Sequence, residues 1–439
     1  MIDKNINNLN EFIQNQYLTL EELNKINWEK RERLIKYAFN NIPFYNKRFK
    51  ENGIKFEDLG DIEIWEKIPM LTKKDIVDNF NEICKPNLQK DDYVVSTTGG
   101  STGVPVKVLH DLKLSNSSLL LDRMLSWWDV NQSDDIGRIW RYGELPKKYF
   151  VTELIKILAK KYIWTKKNHV IALDASFLDR KSILYFLKIW NIVKPPLLSG
   201  YVGAVYTVAE YIQKHKIKIH FPKAIWLTAA PVSNLQRELI EKVFNAPVYD
   251  QYGSCEINYL AAECKCHEGL HMFQDAKHIE FVNDQNMLCS PEQYGRILVT
   301  DLYNEVFPLI RYEIGDIGRS LSHKCKCGIN LPLMDSVKGR ISEIVKLKDG
   351  TSISGEYLTT IFDNYTDSVS AFQIWQKSNY DIAIRVVLKD NSKNTLQALY
   401  DVQNNLKVKF KNSLIVEIIE VDEILSDRGK TRYIVSDVK

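Results

Sequence analysis

Residues 93–108 read Tyr93-Val-Val-Ser96-Thr97-Thr98-Gly99-Gly100-Ser101-Thr102-Gly103-Val-Pro105-Val-Lys107-Val108. Two short β-branched runs flank a core of Ser, Thr and Gly, a pattern of strand, loop and strand. Gly99, Gly100 and Gly103 let the backbone curl closely around a ligand. Successive N–H groups, with the hydroxyls of Ser96, Thr97, Thr98, Ser101 and Thr102, then form an anion-binding concavity, and Lys107 adds positive charge. The physical reading is a phosphate clamp. It differs from the P-loop of common NTPases, whose G-x-x-x-x-G-K-[ST] opens a helix, because Pro105 and a second strand follow. The plain alternative is a polar hairpin with no ligand.

Outward from this loop, the pattern is helical before it and alternating after it. Residues 1–50 predict helix, with Leu34, Ile35, Ala38 and Phe39 on one side and Pro43 stopping the run. Thr72-Lys-Lys-Asp75 resembles a capping box. Beyond the loop, helices are expected over 112–128, 151–162, 178–191 and from Gly200 to about Lys214. Strands at 216–221 and 224–228, a helix at 234–244 and a strand at 247–252 follow. Strand and helix in alternation predict an α/β layer architecture with parallel strands and ligands beyond their C-termini. Residues 277–320 read as strands, including 297–301 and 309–314. After Gly339-Arg340 come a helix at 356–363, strands at 371–376 and 380–388, a helix at 393–410 and a strand at 414–420, a compact α+β unit.

The chain has 439 residues, enough for a large core and two domains. It is 45% hydrophobic and 26% charged, ordinary for a globular protein. With 59 basic and 56 acidic residues the net charge is +3, which gives no case for a nucleic-acid or membrane surface. No run is long enough to span a membrane, and the start lacks the apolar core of a signal peptide. A cytoplasmic protein without membrane insertion is expected. Four of seven cysteines sit in two C-x-C pairs, favouring metal binding or free thiols over disulfides.

Three further motifs carry chemistry. Glu256, in Tyr252-Gly253-Ser254-Cys255-Glu256, suits Mg²⁺, which takes few protein carboxylates beside phosphate oxygens and water. In Pro308-Leu-Ile-Arg311-Tyr-Glu-Ile-Gly315-Asp316-Ile-Gly-Arg319, Asp316 behind Gly at a strand end suits two ribose hydroxyls. Arg311 and Arg319 are cations for phosphate. Ser426-Asp-Arg-Gly429-Lys430-Thr-Arg432 could carry a cation into a site on a mobile loop, or be a solvated tail.

These motifs, with Gly339-Arg340, Pro43-Phe-Tyr45, Pro69-Met-Leu-Thr72, Gly200-Tyr201 and Cys325-Lys-Cys327-Gly328, stand in the order of the adenylate-forming ligase superfamily. The chain most resembles its phenylacetate–CoA ligase group, in the branch linked to capsule polysaccharide biosynthesis, over residues 40–439. The resemblance implies a large multi-sheet N-terminal domain (1–339) and a small, mobile α+β C-terminal lid (340–439). It implies activation of a small-molecule carboxylate by MgATP as acyl-adenylate, then transfer to coenzyme A. The acceptor could instead be an amine or hydroxyl of a sugar, and a non-catalytic nucleotide-binding protein is the reading from another class.

By resemblance, Ser96 to Gly103 hold the phosphates and Glu256 holds Mg²⁺. Ala229, Ala230 and Pro231 flank adenine, with Asp250, Gln251 and Tyr252, followed by Gly253 and Ser254, across it. Asp316 takes the ribose, Arg340 lies at the hinge, and Lys430 bridges carboxylate and phosphate. Two positions depart from the superfamily: Cys255 stands for the usual Thr and Glu343 for the usual hinge Asp. Trp140, Tyr142 and Tyr201 would suit a flat or aryl acid, or serve only as core packing.

Cys264-Lys-Cys266-His267-Glu-Gly-Leu-His271 and Cys325-Lys-Cys327 offer thiolates and imidazole, donors that suit tetrahedral Zn²⁺. Similar family members pair Cys and Gly-Leu-His with Cys-x-Cys-Gly. This selects Cys264, His271, Cys325 and Cys327 as a structural site, with Cys266 and His267 competing for one position. Free thiols without metal are the alternative.

Overall fold

The computed structural model describes residues 10–98, 106–141, 170–176, 178–232, 234–337, 344–349, 352–354, 358, 361, 362, 365, 368–410, 413–424 and 434–438. The chain divides into two compact units. One comprises Met1–Ser96, Val106–Gln132 and Tyr249–Arg340; the other comprises Thr97–Pro105, Ser133–Val248 and Ile341–Lys439.

In the first unit, helix Leu20–Asn41 begins at Thr19. The Thr19 hydroxyl accepts from the Glu22 N–H at 3.3 Å, and the Glu22 carboxylate accepts from the Thr19 N–H at 2.8 Å. Two donors that a helix start leaves open are thereby satisfied. Pro43 does more than end this run: it opens helix Pro43–Glu51, where its missing N–H costs no helical bond. The capping box at Thr72 and Asp75 heads helix Lys73–Asp78 as expected. Helix Ser117–Trp127 is shorter than the expected 112–128.

Strands Lys277–Val282, Gly295–Asp301 and Tyr312–Gly318 form an antiparallel sheet. The last begins three residues later than the expected 309–314, because Arg311 has φ 51°, a left-handed geometry foreign to a strand. Asp316 therefore lies inside the strand, not at its end. Strands Tyr93–Thr98 and Val106–Asp111 form the expected two-stranded sheet around the hydroxyl-rich loop. Strand Val248–Tyr252 pairs with Ala261–Glu263, that with Leu270–Met272, and that with Leu333–Met334. Phe49, Leu59, Leu71, Ile76, Phe307 and Tyr312 are fully buried between these helices and sheets. Beneath helix Ser117–Trp127, Arg123 and Asp275 form an ion pair with both side chains 0% exposed.

In the second unit, strands Val170–Asp174, Ile136–Trp140, Leu197–Tyr201 and Ala224–Thr228 lie side by side in that order, all parallel. Helices Arg180–Val193, Val202–His215 and Asn234–Phe244 alternate with them near their expected positions. Of the four strands only Ala224–Thr228 was expected, and Gly200 and Tyr201, expected to open a helix, end a strand. Gly137 allows helix and sheet to close up: a Cβ there would fall 2.2 Å from a ring carbon of the buried Trp190. The strand expected at 216–221 is irregular. Asn191 takes the place of a strand partner, donating to the Lys218 carbonyl at 2.9 Å and accepting from the His220 N–H at 2.6 Å.

Toward the C-terminus, Val416–Glu420, Ile382–Leu388, Val369–Gln376 and Ile434–Ser436 form a four-stranded sheet in that order. Helix Lys393–Lys409, capped by Ser392, lies beside it, and Phe372, Ile374, Ile384 and Leu406 join its core. The helix expected over 151–162 lies outside the described residues, as does most of that over 356–363. Among the described residues no helix is long and apolar enough to cross a membrane.

Candidate functional site

Two groups of candidate residues come together in the first unit. The first is a pair of carboxylates held by tyrosines. The Tyr252 hydroxyl donates to Asp316 Oδ2 at 3.0 Å, and the Tyr312 hydroxyl donates to Glu256 Oε1 at 3.1 Å. Glu256 is 5% exposed and Asp316 8%. A neutral donor orients a carboxylate without cancelling its charge. Glu256 enters no ion pair among the described residues, so its charge stays available to a cation.

The turn that carries Glu256 is tightly determined. The Ser254 hydroxyl accepts from the Glu256 N–H at 3.2 Å and the Ile257 N–H at 3.1 Å, and the Ser254 N–H donates to the Ile257 carbonyl at 3.0 Å. A Cβ on Gly253 would lie 2.9 Å from the Tyr259 nitrogen, so only glycine fits. His110 reaches the same turn, with Nε2 2.8 Å from the Cys255 carbonyl. The Asp250 N–H donates to Glu263 at 2.8 Å, fixing the strand before the turn.

The two arginines read as phosphate cations have other partners. Arg311 is 3% exposed. Its guanidinium pairs with Glu280 at 3.1 Å and donates to the carbonyls of Glu66 at 2.9 Å and Ile68 at 2.7 Å. Burial, reinforced by these acceptors, makes it an internal brace and takes it out of reach of a phosphate. Arg319 lies between Asp335 at 2.9 Å and Glu292 at 3.4 Å.

In the second unit, Ala229 follows strand Ala224–Thr228 with φ 73°. An alanine held in the left-handed region is strained, and such strain collects where ligands are gripped. It sits beyond a parallel strand's C-terminus, as do Ala230 and Pro231, where α/β sheets bind ligands. At the ends of two neighbouring strands, the rings of Trp140 and Tyr201 lie 4.4 Å apart. Gly99, Gly100, Ser101, Thr102, Gly103, Tyr142, Arg340, Glu343 and Lys430 fall outside the described residues.

The second group in the first unit is a metal-ligating set. The donor atoms of Cys264, His271, Cys325 and Cys327 all lie within 4.8 Å of one another. Cys264 Sγ is 3.5 Å from Cys325 Sγ, and Cys327 Sγ is 3.3 Å from His271 Nε2. A tetrahedron with Zn–S bonds of about 2.3 Å has edges of about 3.8 Å, so the set fits with little movement. His271 Nδ1 faces the Leu331 carbonyl at 3.1 Å, which orients the ring and leaves Nε2 for the metal. The Cys266 N–H donates to Cys264 Sγ and the Ile329 N–H to Cys327 Sγ, each at 3.4 Å.

Trp127 covers the imidazole edge-on at 5.5 Å. Burial raises the Cys264 and Cys325 thiols and lowers His271 to about 4, so charged thiolates here call for a cation. Cys266 is exposed, and His267 stacks on Tyr249 at 5.2 Å and meets Glu263 at 3.2 Å, so neither joins the set. His110 lies in no local motif, and Tyr312, although inside the motif of residues 308–319, carried no role there because its partner is distant. Each acts on a residue more than fifty positions away.

Residues 345–437 match the family model for the CapK C-terminal domain. Protein CapK of Staphylococcus aureus is 25% identical over 422 residues, 93% of this chain and 88% of that one. Phenylacetate–coenzyme A ligase of Escherichia coli (strain K12) is 22% identical over 434 residues, 94% of each chain. This chain is a relative of both. Its fold is that of the adenylate-forming CoA ligases. The structure of 2-hydroxyisobutyryl-CoA ligase with 2-HIB-AMP and CoA, in the thioesterification state, superposes with a TM-score of 0.66 at 16% identity. It covers 97% of this chain and 92% of that one.

Proposed function

We propose that the protein is an AMP-forming ligase that joins a carboxylic acid to coenzyme A. In the first step a carboxylate oxygen attacks the α-phosphorus of ATP, the α–β anhydride breaks, and pyrophosphate leaves. In the second the coenzyme A thiol attacks the acyl carbon, and AMP leaves with the electrons of the broken C–O bond. The observation that carries this reading is the pair of buried, tyrosine-held carboxylates, Glu256 and Asp316, in a relative of the phenylacetate–coenzyme A ligases.

In this reading Asp316 accepts from the ribose hydroxyls, and Tyr252 fixes its orientation. Glu256, aimed by Tyr312, would hold a magnesium ion, which when bound neutralises phosphate charge. The hydroxyl-rich residues Ser96 to Gly103 take the phosphates. Ala229 to Pro231 meet adenine, Arg340 marks a hinge at the boundary between 1–339 and 340–439, and Lys430 arrives with the lid. A lid that delivers its cation only on closing keeps water from the adenylate. The Trp140–Tyr201 pair favours a flat or aryl acid. Zn²⁺ on Cys264, His271, Cys325 and Cys327 would be structural, with all four positions filled by protein.

The acceptor has a second reading, an amine or hydroxyl in polysaccharide assembly. A panel of carboxylates scored by ATP–pyrophosphate exchange tests the first step, and product formation with and without coenzyme A separates the acceptors. No exchange with any acid, despite ATP binding, would leave a nucleotide-binding protein without catalysis. Lys430→Ala abolishes exchange and spares thioester formation from pre-made acyl-adenylate; equal loss in both assays refutes its role.

A further inference from the structure

Resting on that reading of Glu256, we propose that His110 is a positioning residue for the Glu256 carboxylate, acting through the main chain at Cys255. The imidazole lies on strand Val106–Asp111, and its Nε2 is 2.8 Å from the Cys255 carbonyl oxygen. A carbonyl only accepts, so Nε2 carries the proton and donates it. Burial keeps the ring below the usual histidine range, and a neutral imidazole in this tautomer is the species present near pH 7.

The carbonyl that His110 holds belongs to the peptide bond joining Cys255 to Glu256. Ser254 secures the N–H of that same peptide at 3.2 Å, so both polar ends of the unit are tied. Tyr312 secures one carboxylate oxygen at 3.1 Å. Between a fixed peptide and a fixed Oε1, the remaining oxygen has a narrow range of positions. A metal that takes few protein oxygens and demands near-ideal octahedral geometry is sensitive to where each one lies. Without the imidazole, the peptide loses the bond that fixes its carbonyl end to strand Val106–Asp111, and the carboxylate sweeps a wider arc.

Truncation of His110 is tolerable for the fold. Beside the imidazole is a polar cavity of about 20 Å³ lined by His110, Asn116, Asn258, Asp301 and Asn304, room for about one water. In His110→Ala, water entering from this side satisfies the Cys255 carbonyl but does not hold it in place.

The test is a Mg²⁺ titration of ATP binding by calorimetry on the full-length protein, for the wild type, His110→Ala and His110→Gln. The expected result is a rise of about fivefold in the Mg²⁺ needed for half-maximal ATP binding in His110→Ala, the size of one net hydrogen bond. His110→Gln, whose amide NH₂ can donate to the same carbonyl, returns to within about twofold, and ATP binding without Mg²⁺ is equal in all three. An unchanged Mg²⁺ requirement in His110→Ala overturns the inference and leaves the Glu256 reading standing. So does a Gln variant no better than Ala with the two melting temperatures equally lowered. Wild-type ATP binding indifferent to Mg²⁺ overturns the Glu256 reading, and the inference falls with it.

Discussion

Replacement of Asp275 by alanine strikes a single point on which several segments of the first unit rest. Asp275 takes both arms of Arg123, at 2.8 and 3.0 Å, and also accepts from Asn15 at 3.3 Å. Arg123 further donates to the Phe12 carbonyl at 3.0 Å and lies over the rings of Phe273 and Phe12. Both charges are fully buried. Removing one partner of a buried pair strands the other, at a cost of about 3–5 kcal/mol. The lost Asn15 bond adds about 1 kcal/mol. Against a typical stability of about 5–15 kcal/mol this is about a quarter or more of the total.

At about 2–4 °C per kcal/mol for a unit of this size, the first thermal transition of Asp275→Ala falls by about 8–24 °C. Circular dichroism and urea unfolding measure it. The control is the double variant Arg123→Met, Asp275→Leu, which removes both charges and fills the space, and which lies near the wild type or above it. A single variant within about 1 kcal/mol of wild type refutes the argument. A double variant no more stable than the single one does so as well.

Three other outcomes follow from the site and its supports. Tyr252→Phe removes the hydroxyl that holds Asp316 and raises the KM for ATP about fivefold or more, with unchanged unfolding; an unaltered KM rejects its placing role. Cys325→Ser, which breaks the set at its 3.5 Å contact with Cys264, brings bound zinc from one per chain to near none by mass spectrometry. Zinc retained in full excludes Cys325 as a ligand. His278 is held far below the ordinary histidine range by burial, then by Arg31 and Arg311. Its folded pKa lies under its unfolded one, so the unfolded chain binds the extra proton, and stability falls as pH drops below about 6.5, by up to about 1.4 kcal/mol per unit. His278→Gln flattens that slope; an unaltered slope assigns it elsewhere.

Much of this structure is written locally in the chain. The runs at 224–228, 234–244 and 247–252 read directly as strand, helix and strand, and the bounds of Asn234–Phe244 coincide with those expected. Strand Leu197–Tyr201, by contrast, was hidden because Gly200 and Tyr201 read as a helix start. Capping chemistry placed the helix at Thr72. What escaped depends on partners distant in sequence. Nothing local reveals that Asn191 would satisfy the backbone of 216–221 in place of a strand, or that Arg311 would turn inward to Glu280. Pro43 ends one helix and begins another because the same fixed φ serves both purposes. The metal donors were legible as a group because thiols and imidazoles are sparse, and the choice among them came from resemblance to family members, whereas a tyrosine that aims a carboxylate looks like any core aromatic.

The bond from His110 ends on a main-chain oxygen. Every residue type supplies that acceptor, so the side chain at position 255 can drift through generations without loosening the turn. Placement of Glu256 and the chemistry offered beside it are then inherited as separate traits. A lineage can exchange threonine for cysteine at 255, tune what faces the ligand, and keep the carboxylate where it was.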